Sequence, residues 1–259
     1  MTLDDILGSL FADSQGLVRE NGLLWGRARL ADDGQDRMTT VIGVEGRAFV
    51  GVDDAIVLAR VVLQTIAQGA AQGSPEPILV LIDSSSQRMS KRDELLGLNE
   101  FLAHLAKSLI YAHARGHATV GLLYGHTAAG AFIATALATS TLLALPGAHP
   151  AVMDLPSMAR VTKLPLTVLE EKAKSTPVFA PGLDNLAQTG GVAQVLNPDQ
   201  PLSAQLRDVL ATLNTGLTPG LTPHERAQDH RDRLGKTRGG RPVAADIADQ
   251  VYALARAAI

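Results

Sequence analysis

Two uninterrupted apolar runs constrain the fold most: residues 77–83 (PILVLID) and 118–124 (ATVGLLY), separated by a Leu- and Ala-rich stretch of helical period over residues 91–115. A strand with one face in water alternates apolar and polar residues. A strand without alternation is buried on both faces, which happens where helices cover a parallel sheet. Strand, helix, strand, helix in that order implies right-handed crossovers and places ligand sites at the C-terminal ends of the strands. Those ends are residues 83–87 and 125–130.

The flanking sequence extends this α/β pattern. Residues 38–50 (MTTVIGVEGRAFV) carry β-branched residues around Glu45-Gly46, which predicts two strands joined by a tight turn at the start of the sheet. Asp53 and Asp54 precede an apolar stretch of helical spacing, predicting a helix over 53–71 with an acid as cap and Gly69 and Gly73 at its close. The run at 77–83 is expected to open into a polar loop, and the helix over 91–115 to end at Gly116. A loop at 125–127 should lead into a small-residue helix over 128–138, followed by short strands at 142–145 and 151–153. Helices are expected over 164–174 and 203–213, separated by a Pro- and Gly-punctuated stretch at 176–191. Residues 215–223 are of low complexity, and the tail holds the loop KTRGGRP and a closing helix over 243–258. With 259 residues and 46% hydrophobic content, one domain spanning 1–259 is the expectation.

Composition removes several classes of function. Aromatic residues are 3% of the chain, too few for a base-stacking platform, and a formal charge of -3 gives no broad attraction to nucleic acid or anionic membranes. Without cysteine there is no thiolate catalysis and no cysteine-ligated metal site, which fits a reducing cytoplasm. The N-terminal MTLDDILGSLF is acidic where a secretory signal is basic. The longest apolar stretch, 128–145, is interrupted by Thr135, Thr139, Ser140 and Thr141, so no membrane span is expected.

The segment YGHTAAGA, residues 124–131, is the most informative for chemistry. Glycine and alanine at a strand-to-helix turn let backbone N–H groups approach a ligand closely, and the helix start adds a positive dipole end. N–H groups near Thr127, Ala128 and Gly130 could then hold a carboxylate or a thioester oxygen that becomes negative in an enolate. The same small residues also serve simple packing of a helix on a sheet. His126 could donate to a carboxylate or supply a proton, since histidine titrates near neutrality, or face solvent or a partner. Ser84, Ser85, Ser86 and Gln87 could line a cavity or cap a polar loop. In the tail, Arg238 and Arg241 (RGGR) could grip a phosphate of a pantetheine-type group or lie in a solvated loop. His113 and His117 have metal-ligand spacing, yet Gly116 falls between them and no third ligand is evident.

The order of these segments resembles the α half of acyl-CoA carboxyltransferases, a branch of the crotonase superfamily, over most of the chain. PILVLIDSSSQ resembles that family's strand ending in Asp-Thr-Pro-Gly, and YGHTAAGAFIA its glycine-rich oxyanion turn. AHPAVMDLPSMARV resembles a short strand with a Ser-Pro-Glu-Gly-like turn, and LDNLAQTGGVAQVLNP its Leu-x-x-x-Gly-x-x-Asp segment. Ser84-Ser85-Ser86 replaces Thr-Pro-Gly, and His126-Thr127-Ala128-Ala129 replaces the Gly-Gly turn. The combination SSSQRMS, YGHTAAGA and MDLPSMARVTKLP is similar to the γ subunit of biotin-independent malonate decarboxylase.

That resemblance implies a crotonase/Clp-like fold of layered β-β-α units and a homologous β subunit of the same fold as partner. It also implies decarboxylation of a malonyl thioester carried on the pantetheine-type thiol of an acyl carrier protein, with no cofactor bound directly and with an acyl-transferase subunit as a further partner. Candidate donors or shaping residues at the second turn are Leu155, Pro156 and Ser157; Pro156 lacks an N–H and can only shape its turn.

Two other readings remain open. One is a non-catalytic scaffold half of a carboxyltransferase-like heteromer. The other is a serine hydrolase of the Clp branch, against which stand Thr127 and Ala128 where its nucleophile would be needed. A biotin carrier is excluded, because none of the five methionines is followed by lysine.

Overall fold

The computed structural model describes residues 1–31, 38–176, 180–215 and 231–258. An eight-stranded sheet forms its centre, in the order β1 (Phe11–Asp13), β3 (Leu23–Leu30), β4 (Met38–Val50), β5 (Ile78–Gln87), β6 (Thr119–Leu123), β8 (Thr141–Ala144) and β10 (Gln194–Val195), with β2 (Leu17–Glu20) paired to β3. From β4 to β10 all neighbours are parallel, while β1 to β4 meet antiparallel. A separate two-stranded parallel sheet joins β7 (His126–Ala128) to β9 (His149–Ala151).

The central strands are buried on both faces. Ile42, Val44, Ile78, Val80 and Ile82 point to one side, where helices α2 (Val52–Gln72) and α4 (Leu98–Ala114) cover them. Val41, Leu79, Leu81, Val120, Leu122 and Leu143 point to the other, under α1 (Leu3–Leu10) and α9 (Leu202–Thr215). Helix α2 is long and apolar enough to cross a membrane by length and composition, so the longest such segment is this one and not 128–145. Here its buried residues, Leu58, Ala59 and Val62 among them, belong to the core.

Several sequence expectations change. The sheet begins with the β1–β3 strands, not at residue 38. Residues 38–50 form one strand, because both halves pair with β5; Gly46 and Arg47 adopt positive φ and insert a bulge between the Val44–Ile82 and Ala48–Ser84 registers. Helix α2 is capped at Gly51, whose N–H is held by Asp54, and Gly69 lies inside the helix against His117. The serines do not open a loop: β5 continues through Gln87. Gly97, at φ 86°, breaks the long helix into α3 (Lys91–Leu96) and α4. The 128–138 segment is a four-residue helix, α5 (Ala129–Phe132), running into a π-helical turn (Ile133–Leu137), and residues 126–128 are strand.

Downstream, β9 ends at Ala151 instead of beginning there, and α6 (Leu155–Thr162), α7 (Leu166–Ser175) and α8 (Leu183–Gln188) follow. The low-complexity segment lies almost wholly outside the described residues. The closing helix Ala244–Ala257 buries only Ala245, and Val251 and Leu254 are 60% and 71% exposed, so it does not seal this chain's own core.

Candidate functional site

The C-terminal end of β5 and the turn after β6 form one hydrogen-bonded assembly. Asp83 Oδ1 accepts the His126 N–H at 2.9 Å, and this close approach requires Gly125, since a Cβ there would lie 2.2 Å from the same oxygen. Ser84 and Thr127, both fully buried, share a hydroxyl hydrogen bond of 2.8 Å. His126 Nδ1 lies 3.0 Å from the Ser84 carbonyl. A carbonyl only accepts, so this bond places a ring proton on Nδ1.

Gln87 completes the assembly by accepting the Gly130 N–H on Oε1 at 2.8 Å. Between Ala128, which is extended, and Gly130 stands Ala129 at φ 51°, a left-handed conformation that costs an L-residue about 1–3 kcal/mol. It stands at the junction of β7 and α5, and the π-helical turn follows α5. Both are kinds of irregularity that concentrate at functional sites. Above the turn, the Tyr124 hydroxyl reaches the Val44 carbonyl at 3.4 Å. Its phenol is pushed well above the ordinary range by burial, and further by Asp83 and Glu45.

Ser84, Gln87, His126, Thr127 and Gly130 are thus joined by hydrogen bonds. Ser85 and Ser86 sit half-buried beside them, Ser86 donating to the Gln87 carbonyl at 3.1 Å. The Gly130 N–H, expected as a donor to substrate, is held by Gln87. The Ser157 N–H, expected likewise, is taken at 2.7 Å by Asp154, the cap of α6, whose carboxyl is kept below its usual range by hydrogen bonds from Ser157. Leu155, Pro156 and Ser157 therefore open a surface helix. No hydrogen bond joins them to the 126–130 turn among the described residues.

Helix α6 contributes through Met158 instead. Met158, Phe132, Pro150, Ala151, Val152, Met153, Ala180, Pro181 and Leu186, together with Gly182, Thr189 and Arg241, line a groove of about 300 Å³. It abuts the turn, because Pro150 and Ala151 are the register partners of Thr127 and Ala128. A larger cavity, about 390 Å³, lies at the opposite, N-terminal ends of the strands, where Arg27 is paired with Glu76. That location is far from the strand ends where parallel sheets place their sites, so the smaller groove is the relevant one.

Sequence reasoning missed Asp83 as the residue that fixes the turn, although an acid closing a buried strand opposite a glycine was the available signal. His117 is a structural residue, hydrogen-bonded through Nδ1 to the Glu76 carbonyl at 2.8 Å. No cluster of metal-ligating side chains occurs among the described residues.

Fold and turn together are those of a crotonase-type protein of the carboxyltransferase kind. Residues 46–255 match the family model of the malonate decarboxylase gamma subunit. The chain belongs to the malonate decarboxylase gamma subunit family, and so is a subunit of a carboxy-lyase.

A curated relative from Malonomonas rubra, a malonyl-S-ACP:biotin-protein carboxyltransferase called MADD, is 28% identical over 208 residues, covering 77% of this chain and 70% of its own length. Among solved structures, a Pseudomonas malonate decarboxylase hetero-tetramer in complex with coenzyme A aligns with 98% of each chain at a TM-score of 0.74 and 24% identity. The MdcD–MdcE hetero-dimer of Pseudomonas malonate decarboxylase covers 95% of this chain and 98% of its own at 0.68 and 23%. The transcarboxylase 12S core matches 83% of this chain and 42% of its own at 0.63 and 16%. These solved structures establish the crotonase-type carboxyltransferase fold.

Proposed function

We propose that this chain, as one carboxyltransferase-like domain and paired with a homologous β subunit, decarboxylates a malonyl thioester on the pantetheine thiol of an acyl carrier protein in the cytoplasm. The products are the acetyl thioester and carbon dioxide. The carrying observation is the β5–turn assembly, in which Asp83, Ser84 and Gln87 hold His126, Thr127 and Gly130 beside a strained Ala129.

In the reaction the bond between the α carbon and the carboxylate breaks and its electron pair enters the thioester as an enolate. A proton then adds to the α carbon. The thioester carbonyl itself takes up the charge, so the protein's part is an apolar seat for the carboxylate, aimed donors for the enolate oxygen and a proton source. The N–H near Ala128 is the donor, since that of Thr127 belongs to the ladder between β7 and β9, and the half-buried Ser85 and Ser86 stand beside the turn as further polar groups. His126 is the proton-transfer residue. The exposed apolar row Val243, Ile247, Val251 and Leu254 on the closing helix supports a heteromer, because such a face is covered in an assembly.

One observation favours the scaffold reading: the Gly130 N–H is engaged by Gln87, which withdraws one donor from any enolate. Measuring carbon dioxide release from a malonyl thioester, by this chain alone and by the complex purified with it, tests the proposal. Release by the complex only is expected. No release by an intact complex with acylated carrier overturns it. Unchanged turnover of the complex after Thr127→Phe selects the scaffold.

A further inference from the structure

Three hydrogen bonds hold the 126–130 turn to β5, and they differ in how firmly they are enclosed. The Ser84–Thr127 pair is fully buried, and the Asp83–His126 bond depends on the close approach that Gly125 permits. The third, from the Gly130 N–H to Gln87 Oε1, joins two half-buried residues. The main chain around Gln87 is fixed: Gln87 pairs in register with Val50, the Arg88 N–H donates to the Val50 carbonyl at 2.8 Å, and the Arg88 guanidinium donates to Asp54 and to the Phe49 carbonyl. The Gln87 side chain is held at one point only. Its amide nitrogen has no hydrogen-bond partner among the described residues, so rotating the side chain breaks a single bond. A Cβ on Gly130 would stand 3.2 Å from Oε1, so the amide packs against Gly130 itself, and a ligand oxygen that accepts this N–H must take the place of Oε1.

We propose that Gln87 is a specificity-determining residue, whose amide oxygen occupies the Gly130 N–H until a thioester oxygen gains enolate charge and displaces it. Two neutral acceptors compete for one N–H on nearly equal terms, because a neutral hydrogen bond contributes little net. A thioester carbonyl therefore gains little by displacing Gln87. Hydrogen bonds to an ionised acceptor are about twice as strong as neutral ones, so the enolate oxygen takes the N–H. The displaced amide turns to solvent, which reaches the half-buried side chain, and no polar group is left unpaired. The donor then stabilises the transition state and not the ground state, which is the condition for raising turnover. It also discriminates against the acetyl thioester product, whose carbonyl is neutral. This rests on the decarboxylase reading given above, deepens it, and accounts for the occupied donor without a scaffold.

The test compares the purified complex carrying Gln87→Met, Gln87→Asn or Gln87→Glu with the parent complex. The readouts are the kinetics of carbon dioxide release from malonyl-pantetheine and calorimetric titration with S-acetyl-pantetheine. Methionine offers no amide and asparagine is shorter by one methylene, so both variants should open the donor to neutral carbonyls. S-acetyl-pantetheine should then bind roughly threefold to tenfold more tightly, and the KM for malonyl-pantetheine should fall with kcat no higher than the parent's. Gln87→Glu keeps an acceptor and adds charge beside the enolate, so kcat/KM should drop while S-acetyl-pantetheine binds no better. Gln87→Asn, which keeps an amide, carries the test where Gln87→Met does not fold. A merely structural bond gives the opposite pattern: a lowered thermal midpoint, lowered kcat/KM and no gain in S-acetyl-pantetheine affinity in the Met and Asn variants overturn the proposal, as does affinity unchanged at an unchanged midpoint. An intact complex that releases no carbon dioxide, yet binds S-acetyl-pantetheine more tightly in these variants, refutes the decarboxylase reading and leaves Gln87 as the gate of a thioester site.

Discussion

At the strand ends Asp83, Ser84 and Gln87 each hold a group of the turn, whereas in the groove beside it the guanidinium of Arg241 holds nothing within the described chain. The two regions meet along β7 and β9, yet one is closed by internal bonds and the other is open. Internal bonds in a buried, low-dielectric site fix geometry, because each lost partner leaves an unsatisfied polar group. An exposed cation without such a partner fixes nothing. Substitutions in the two regions should therefore separate into large and small effects on stability.

The sharpest separation is expected from Gly125→Ala. Its Cβ would lie 2.2 Å from Asp83 Oδ1 and displace the bond to the His126 N–H, lowering stability by about 3 kcal/mol in urea denaturation and reducing carbon dioxide release by the complex. A neutral result would show that the turn is not held as described. Arg238→Met should cost about 2–3 kcal/mol, because three carbonyls lose a charged donor. If it instead behaves like Arg241→Ala, the contrast between the two arginines fails.

Thr127→Val removes the partner of a fully buried hydroxyl and should cost about 1–3 kcal/mol. Adding Ser84→Ala should then change little, since both polar partners are gone; additive losses in the double-mutant cycle would mean that the hydroxyls are not coupled.

The junction of α3 with the start of α2, where Asp93 is buried and accepts the Val52 N–H, should also be acid-sensitive. Asp93 is kept below the usual carboxylate range by Ser90 and the Val52 N–H, so its folded value lies under its unfolded one. The stability it contributes is present above pH about 4 and is lost as pH falls through the lowered value. Asp93→Asn should flatten that dependence in acid denaturation. The smallest stability effect belongs to Arg241→Ala, within about 0.5 kcal/mol of the parent, since its side chain has no partner among the described residues to lose.

The difference between the regions follows the sequence. Residues 77–83 and 118–124 announced buried parallel strands because an unbroken apolar run has few alternatives at that length, and β5 and β6 lie where those runs are. The turn at 124–131 was legible from its small residues. Its hydrogen-bond pattern was not, because Asp83 and His126 are 43 residues apart and only the sheet brings them together. The two-strand reading of 38–50 failed because Glu45-Gly46 suits a turn and a bulge equally well, and pairing of both halves with β5 selected the bulge. Gly97 could not be recognised as a helix break from composition, since isolated glycine is tolerated within helices.

By itself, then, the sequence determined the α/β class, the buried strands and the position of the small-residue turn. Local apolar pattern and backbone sterics act over a few residues and leave a direct trace in the chain. Tertiary structure alone decided which donors of that turn are held internally, that α6 offers Met158 and not the Ser157 N–H, and which arginine of RGGR remains available. Each of these depends on a partner distant in sequence, and hydrogen bonding and close packing are settled by distance in space.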